Sequence, residues 1–438
     1  MAKRTGFLKL VAAALGLGLG ASLLLPIPAS ANPAPVGQCS VANLERSPGI
    51  RGLFAEVRNL STGEVLYSKR ANTPQRTASV MKVLTSVVAL DALGADHQVT
   101  TTVYADPQNP EKLYLVGSGD VTLSRMPGNI TSYYLRGPKL DTLSRQIQSW
   151  AKANAVTISE VVTDSSLYDE YWHPTWDRRG LTEGYMAPVS ALQIDAGRLT
   201  SSKNRNLFIA KRTDKPVNQA GVLFLQSLRK FNLGLGATAS RGVLPAGVVP
   251  IASVKSQPMS AWIGNTLRVS DNALSESLAR LSSLALGGDG SAESLTQAYK
   301  KVLEARGIDS TGVVIVDGSG LSRLNRVPAR VFNDLLTQIY AEPERHQAVI
   351  AGLPVSGKPG SLRFRFNAGE QRQALFNIEA KTGWIRTGYS LAGKIKAADG
   401  TDLVFTVYNL WTSVSYQNRA AMDALVFGFY RCGASLRG

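Results

Sequence analysis

Three short motifs along this chain carry side chains that together could perform an acyl transfer. Residues 79–82 match S-x-x-K, residues 270–272 match S-x-N and residues 381–383 match K-T-G. Such a set supplies a serine nucleophile, a lysine base, a hydroxyl that relays a proton and a clamp for a substrate carboxylate. Each motif alone is weak, because S-x-x-K recurs at 149–152 and 227–230 and S-x-N at 202–204. The information therefore lies in the complete ordered set.

Ser79 and Lys82 have the spacing of a nucleophile and its base. Residues three apart on a helix lie on one face, so both side chains can enter one cleft. A serine hydroxyl needs a base to take its proton, and a lysine can do so only if its pKa is lowered by burial or by a second cation. Lys381 is the candidate second cation. The alternative is a capping serine beside a surface lysine, which we prefer for the two other S-x-x-K matches but not for Ser79.

Ser270 and Asn272 fall between two predicted helices, in a loop suited to side chains that enter a cleft. Ser270 would relay a proton to the leaving amine, and Asn272 would hold the substrate amide. The alternative is a capping turn, because Ser, Asp and Asn all favour helix N-caps. For this motif taken alone, the capping turn is the preferred interpretation.

Lys381, Thr382 and Gly383 end one strand-like segment. The lysine and the hydroxyl can bind a substrate carboxylate, and the glycine allows the substrate backbone to approach closely. An oxyanion hole needs two backbone N–H groups, and those of Ser79 and Trp384 are the natural pair. A β-turn at a strand end is the alternative for an isolated K-T-G.

Composition and charge limit the other functions that the chain could have. Its 438 residues, 44% of them hydrophobic, predict a globular protein of two or three domains. The net charge of +16 is scattered without a run of like charges, so we expect no nucleic-acid partner. The three histidines form no H-x-x-x-H pattern and no cluster with cysteine, so we expect neither a metal nor another cofactor.

The N-terminus has the pattern of an export signal. Lys3, Arg4 and Lys9 precede an apolar segment at 10–25, and Ala29-Ser30-Ala31 matches an A-x-A cleavage site. We therefore expect residues 1–31 to be removed and the protein to act in the periplasm or cell wall. An uncleaved anchor is the alternative, although the segment is short for a span that needs about 20 residues. The mature chain contains no other candidate span.

Cys39 and Cys432 are the two cysteines of the chain and lie near the two ends of its mature part. An even number of cysteines in an exported protein predicts a disulfide that joins the terminal segments. Two free thiols are the alternative.

The pattern along the chain predicts an α/β protein in which a second lobe is inserted into the first, over about residues 97–256. Strands are predicted at 52–58, 64–68, 100–104, 112–116, 160–163, 312–316, 378–381, 390–396 and 403–410. Helices are predicted at 79–93, 140–154, 259–267, 272–286, 331–340 and 419–430.

Beyond the three motifs, further segments carry a family resemblance. Residues 115–120, 187–192 and 317–322 resemble signatures of the class C low-molecular-mass penicillin-binding proteins, the peptidase S13 family of D-alanyl-D-alanine carboxypeptidases and endopeptidases. The resemblance implies an α/β (α+β) fold with a transpeptidase-like domain, built on an antiparallel sheet flanked by helices, at 32–96 and 257–438. It also implies an inserted domain at 97–256, because that family carries its domain II between the first two motifs.

The same resemblance assigns roles to residues. It implies that Ser79 is acylated, that Lys82 is the base, and that Ser270, Asn272, Lys381 and Thr382 surround the substrate. Asp164 matches a family aspartate that can face a diamino-acid side chain, and its alternative is a strand-end turn. Trp384 departs from the family, which commonly has a small hydroxyl residue there.

The implied function is a serine D,D-peptidase. The expected partners are peptidoglycan stem peptides ending in D-Ala-D-Ala, with β-lactams as covalent inhibitors. A β-lactamase is one alternative, although no convincing deacylation base is apparent. A catalytically idle peptidoglycan-binding or sensor protein is the other.

Overall fold

The computed structural model describes residues 38–128, 130–134, 136–200 and 210–437. The predicted signal, residues 1–31, lies outside the described residues. The strands are β1 (Cys39–Ser40), β2 (Gly52–Asn59), β3 (Val65–Lys69), β4 (Thr100–Asp106), β5 (Asn109–Val116), β6 (Glu160–Asp164), β7 (Thr238–Arg241), β8 (Val249–Lys255), β9 (Ile378–Ile385), β10 (Gly388–Lys396), β11 (Asp402–Leu410) and β12 (Leu436–Arg437). The α-helices are α1 (Ala42–Glu45), α2 (Met81–Leu93), α3 (Leu140–Asn154), α4 (Arg179–Glu183), α5 (Pro216–Arg229), α6 (Met259–Val269), α7 (Asn272–Ala285), α8 (Leu295–Ala305), α9 (Ala329–Ala341), α10 (Gln347–Gly352) and α11 (Tyr416–Cys432).

The first sheet is antiparallel throughout and has the order β3-β2-β11-β10-β9. Its central strand β11 is hydrophobic along most of its length because helices cover both of its faces. Phe405 packs in the cluster that contains Met422 of α11, whereas Tyr408 packs on the opposite side against Phe332 of α9. An antiparallel sheet between two helical layers, as predicted, is therefore confirmed.

The second sheet is mixed, with the order β7-β6-β5-β4-β8. β4 pairs antiparallel with β5 and β8, whereas β5, β6 and β7 run parallel. Apolar residues of α3 and α5, such as Leu143, Ile147 and Phe224, pack into its core. All of its strands lie within the predicted insertion, and the boundaries of that domain stay a prediction.

One predicted strand, at 312–316, is wrong. Val314 forms an isolated bridge with Arg326, but the backbone amides of Ile315 and Val316 donate to side chains, the Thr296 hydroxyl and the Asn325 amide oxygen, both at 2.9 Å. Gly312, at φ +78°, turns the chain before the segment. The β-branched residues 313–316 have the composition of a strand, but side chains take the place of a partner strand. The other predicted elements are present, with ends that differ by at most four residues.

The terminal segments of the described chain are joined as predicted. A disulfide connects Cys39 with Cys432, whose Cα atoms are 5.3 Å apart, and β1 pairs in parallel with β12. No described helix has both the length and the hydrophobicity that a membrane span requires.

Candidate active site

Ser79 lies in a short 3-10 turn, Ala78–Val80, that leads directly into α2. The helix was predicted to begin at Ser79 and instead begins at Met81. The turn is held from the sheet, because the hydroxyl of Ser390 in β10 donates to the Thr77 carbonyl at 2.6 Å. It is also held by the 317–320 loop, where a Cβ on Gly320 would overlap the carbonyl oxygen of Ala78. Ser79 therefore lies in a turn that is fixed by contacts with β10 and with the 317–320 loop, directly before a buried helix.

Lys82 is fully buried below Ser79. Its Nζ lies 3.0 Å from the Ser79 Oγ and donates to the Asn272 Oδ1 at 2.7 Å and to the Ser319 carbonyl at 2.6 Å. Burial lowers the pKa of Lys82 to about 8, against the opposing effect of carboxylates headed by Asp317. A neutral amine is therefore accessible near neutral pH, within reach of the serine proton.

Lys381 is buried on the other side of the site and belongs to β9. Its Nζ donates to the Ser270 Oγ at 2.9 Å and to the Thr382 carbonyl at 2.6 Å. Burial, with the nearby Lys82 adding to it, holds the pKa of Lys381 well below its ordinary value. The motifs predicted that burial, Lys381 or both would lower the pKa of Lys82; burial is the main cause of the lowered pKa of both lysines.

The S-x-N motif combines both interpretations that its sequence allowed. Asp271 caps α7, because its Oδ1 accepts from the Leu274 amide at 3.0 Å. Ser270 ends α6 in the left-handed conformation at φ +61°, and its hydroxyl contacts Lys381. Asn272 bridges Lys82 and the Tyr185 carbonyl, to which its amide donates at 3.0 Å. The capping turn thus points the two outer residues toward the two lysines.

The K-T-G segment runs along the edge of the first sheet beside Ser79. A Cβ on Gly383 would lie 2.8 Å from the Ser79 backbone nitrogen, so only glycine allows β9 to come this close. The Thr382 hydroxyl donates to the Ser361 Oγ at 2.7 Å. The side chain of Trp384 is 59% exposed.

A cleft of about 940 Å³ opens above these groups. Six residues singled out from the sequence line it, namely Ser79, Ser270, Asn272, Thr382, Gly383 and Trp384. Lys82 and Lys381 lie buried beneath it. The described residues thus bring the three motifs to one cleft.

Asp164 is not brought to this cleft. It ends β6, is buried, and accepts hydrogen bonds from the Ser166 and Leu244 amides, both at 2.7 Å. Such backbone partners are typical of an aspartate in a strand-end turn, which was the alternative to a role in substrate binding. Its contact with substrate stays a prediction.

Charged residues of the cleft were missed by the sequence analysis. The cleft is lined by the carboxylates of Asp177 and Glu183 and by the arginines Arg179, Arg323, Arg365, Arg386 and Arg419. Asp177 directly follows Trp176 in a segment that matches none of the three motifs. Isolated charges carry no motif, so no local pattern marked them.

The 317–322 loop was marked in the sequence only by its resemblance to a family signature. Asp317 is fully buried, and its carboxylate accepts from the Gly320 and Ser322 amides at 2.7 and 2.6 Å and from the Trp176 indole at 2.7 Å. This network fixes the loop so that the Ser319 carbonyl meets Lys82. The loop therefore contributes to the site through its backbone.

Comparison with solved structures shows which class the fold defines. The chain is similar to penicillin-binding protein 4 of Haemophilus influenzae, with a TM-score of 0.73 and 20% identity, covering 89% of this chain and 98% of that chain. The same protein in complex with a β-lactam gives a TM-score of 0.69 at 18% identity, covering 89% and 99%. The fold is that of a penicillin-binding protein.

Sequence comparison shows the family. The model of the D-Ala-D-Ala carboxypeptidase 3 (S13) family matches residues 40–207 and 200–427. A carboxypeptidase of Mycobacterium tuberculosis is 30% identical over 413 residues, covering 93% of this chain and 86% of its own length. The chain therefore belongs to the S13 family of D-Ala-D-Ala carboxypeptidases, which are serine peptidases.

Proposed function

We propose that this protein is a serine D-alanyl-D-alanine carboxypeptidase that acts on peptidoglycan stem peptides through an acyl-enzyme at Ser79. One observation carries the proposal: the buried Lys82 amine lies 3.0 Å from the Ser79 hydroxyl at the floor of an open cleft. A base of lowered pKa in contact with a hydroxyl is the arrangement that nucleophilic catalysis requires.

In the first step, neutral Lys82 takes the proton of Ser79 while the Oγ attacks the carbonyl carbon of the penultimate D-alanine. The developing oxyanion accepts hydrogen bonds from the backbone N–H groups of Ser79 and Trp384. The nearness of Gly383 to the Ser79 nitrogen supports this pairing, because it brings β9 alongside the serine.

In the second step, the peptide C–N bond breaks and the terminal D-alanine leaves with a proton on its amine. Ser270 is the proposed relay for that proton, from Lys82 to the leaving nitrogen. Its hydroxyl lies 2.9 Å from Lys381, whose positive charge and the Thr382 hydroxyl would bind the substrate carboxylate. Water then hydrolyses the Ser79 ester and releases the shortened stem peptide.

The same route would cleave cross-bridges as a D,D-endopeptidase. The leaving amine is then part of a second stem peptide, which needs more room than D-alanine. A cleft of about 940 Å³ that opens to solvent supports access for such a leaving group.

β-Lactams would acylate Ser79, and the resulting acyl-enzyme would hydrolyse slowly. The relative from Haemophilus influenzae has been solved with a β-lactam, and its fold is shared by this chain. A substrate in the cell wall implies that the protein works outside the cytoplasm, in the periplasm or wall. The proposed organisation is an inserted domain at 97–256 within a peptidase domain at 32–96 and 257–438.

Fluorescent penicillin tests the proposal directly, together with assays of D-alanine release from a D-Ala-D-Ala peptide. We expect stable labelling of the wild-type protein, D-alanine release, and loss of both in Ser79→Ala. Ser149→Ala is the matched control, because Ser149 begins another S-x-x-K match but lies on the exposed face of α3. It should keep both activities.

Three outcomes would contradict the proposal. Labelling of Ser79→Ala at the wild-type level would remove Ser79 as the nucleophile. Label that is lost within seconds would indicate a β-lactamase. Stable label without any D-alanine release, on peptides with different third residues, would indicate a binding or sensor protein.

A further inference from the structure

Glu276 is a buried carboxylate to which the catalytic motifs assign no role. It lies on α7, one turn after Asn272, and its residue surface is 0% exposed. Its Oε1 accepts from the Ser319 amide at 2.8 Å, whereas its Oε2 is buried without a hydrogen-bond partner among the described residues. Burying a carboxylate with one oxygen unpaired is costly.

Ser319 connects Glu276 with Lys82, the proposed base. While the Ser319 amide donates to Glu276, the Ser319 carbonyl accepts from the Lys82 Nζ at 2.6 Å. The preceding carbonyl, that of Gly318, accepts from the hydroxyls of Thr85 and Ser275, each at 2.7 Å. The backbone at 318–319 is therefore held between α2 and α7, with one carbonyl aimed at Lys82.

We propose that Glu276 is a positioning residue for the acylation of Ser79: its carboxylate orients the Ser319 backbone and supplies negative charge behind the Lys82 amine. The inference rests on the proposed function, because it concerns the base of that reaction. Glu276 does not touch the substrate and acts through Lys82 alone.

The effect of the Glu276 charge on the pKa of Lys82 can be tested, because both groups have shifted pKa values. Burial raises the pKa of Glu276 to about 7, and the neighbouring Asp317 adds to this rise. Burial lowers the pKa of Lys82 to about 8, so Glu276 and Lys82 titrate over neighbouring ranges of pH. Titratable and charged groups surround both side chains. Those that act on Glu276 or are affected by it, apart from Lys82, are Asp317, Arg280, Tyr168, Tyr171 and Tyr299. Those near Lys82, apart from Glu276, are Asp317, Asp271 and Lys381.

The sign of the effect follows from these charges. A negative Glu276 favours the protonated form of Lys82 and so raises the pKa of the lysine. Glu276→Gln keeps an oxygen that can accept from the Ser319 amide but removes the charge. The pKa of Lys82 should then fall further, and the base should become neutral at a lower pH.

The experiment measures the rate constant for labelling of Ser79 by fluorescent penicillin between pH 5 and 10. We expect the rise of this rate with pH in Glu276→Gln to be displaced to lower pH by about one unit relative to the wild-type protein. Because a rate constant counts only the protein that labels, partial misfolding does not distort the profile.

Asp120→Asn is the matched control. Asp120 is also a buried carboxylate. One oxygen accepts from the Thr122 amide at 2.7 Å and the Thr122 hydroxyl at 2.6 Å, and the other has no partner among the described residues. Burial raises its pKa to about 6, but it is not among the charges that act on Lys82. Its profile should coincide with that of the wild-type protein.

Glu276→Asp tests the positioning part, because the shorter side chain keeps the charge but withdraws from the Ser319 amide. We expect its pH profile to keep the wild-type midpoint while the maximal rate falls by roughly tenfold or more. A wild-type rate in this variant, or coincident profiles for Glu276→Gln and the wild-type protein, overturns the inference while leaving the proposed function standing. Absence of labelling in the wild-type protein overturns both.

Discussion

The two buried lysines of the site differ in the charges around them. Lys82 faces carboxylates headed by Asp317, which offset part of the effect of burial on its pKa. Lys381 instead faces the positive charge of Lys82, which adds to the effect of burial and lowers the pKa of Lys381 further. A substrate carboxylate beside Lys381 would supply a negative charge and favour the protonated form of the lysine. The pair is thus suited to a division of work, with Lys82 as base and Lys381 as anion binder.

Replacing Lys82 with arginine tests this division at the residue scale. Arginine keeps a positive charge but does not lose its proton in proteins, so it cannot act as a base. We expect the acylation rate of Lys82→Arg to fall by roughly 10²–10⁴-fold, measured by fluorescent-penicillin labelling. Lys152→Arg, in the exposed S-x-x-K match of α3, should label normally. A Lys82→Arg rate within threefold of the wild-type rate would remove Lys82 as the base.

Much of the candidate site could be predicted at the residue scale. The reactive residue types and their order were evident from the three motifs, since each motif is contiguous in sequence. Glu276 and the Ser319 carbonyl could not be found in this way, because their contact with the site crosses from α7 to a loop more than 40 residues later. Asp164 was a match of local sequence, and its structural surroundings are those of a turn.

At the scale of elements, the site depends on the close approach of the 317–320 loop to the turn before α2. Gly320 has φ +81°, and a Cβ at this position would overlap the Ala78 carbonyl and approach the Met81 side chain. A side chain is therefore excluded both by backbone conformation and by space.

Gly320→Ala should lower the free energy of unfolding by roughly 1–3 kcal/mol and slow the labelling of Ser79. Gly400→Ala is a matched control, because Gly400 has φ +86° but open space around its Cβ position. Chemical denaturation with parallel labelling measures both effects. Equal losses of stability in the two variants, with normal labelling in Gly320→Ala, would contradict the proposed importance of this contact.

The sequence pattern predicted most elements because their hydrophobic periods are local. It failed at 312–316, where side chains of Thr296 and Asn325 replace the partner strand. It also could not provide the pairing of β2 with β11, because these two strands lie near opposite ends of the described chain. Such pairing depends on the whole core rather than on either segment.

At the scale of the whole molecule, the disulfide ties the beginning of the described chain to its end. Cys39 and Cys432 are separated by 393 residues, so the bond removes many conformations from the unfolded chain. The Cys39→Ser/Cys432→Ser double variant should lose roughly 2–5 kcal/mol of stability while still labelling with penicillin at 25 °C. Thermal melting with and without reductant measures the loss. A melting temperature equal to that of the oxidised wild-type protein would contradict this expectation.

Peptide mass spectrometry of the penicillin-treated protein tests the central claim most directly. We predict a single covalent adduct on the peptide that contains Ser79, at a stoichiometry near one per chain, and its absence after prior incubation with an unlabelled β-lactam. An adduct on a different serine, or an unmodified Ser79 peptide in protein that is otherwise labelled, would contradict the account.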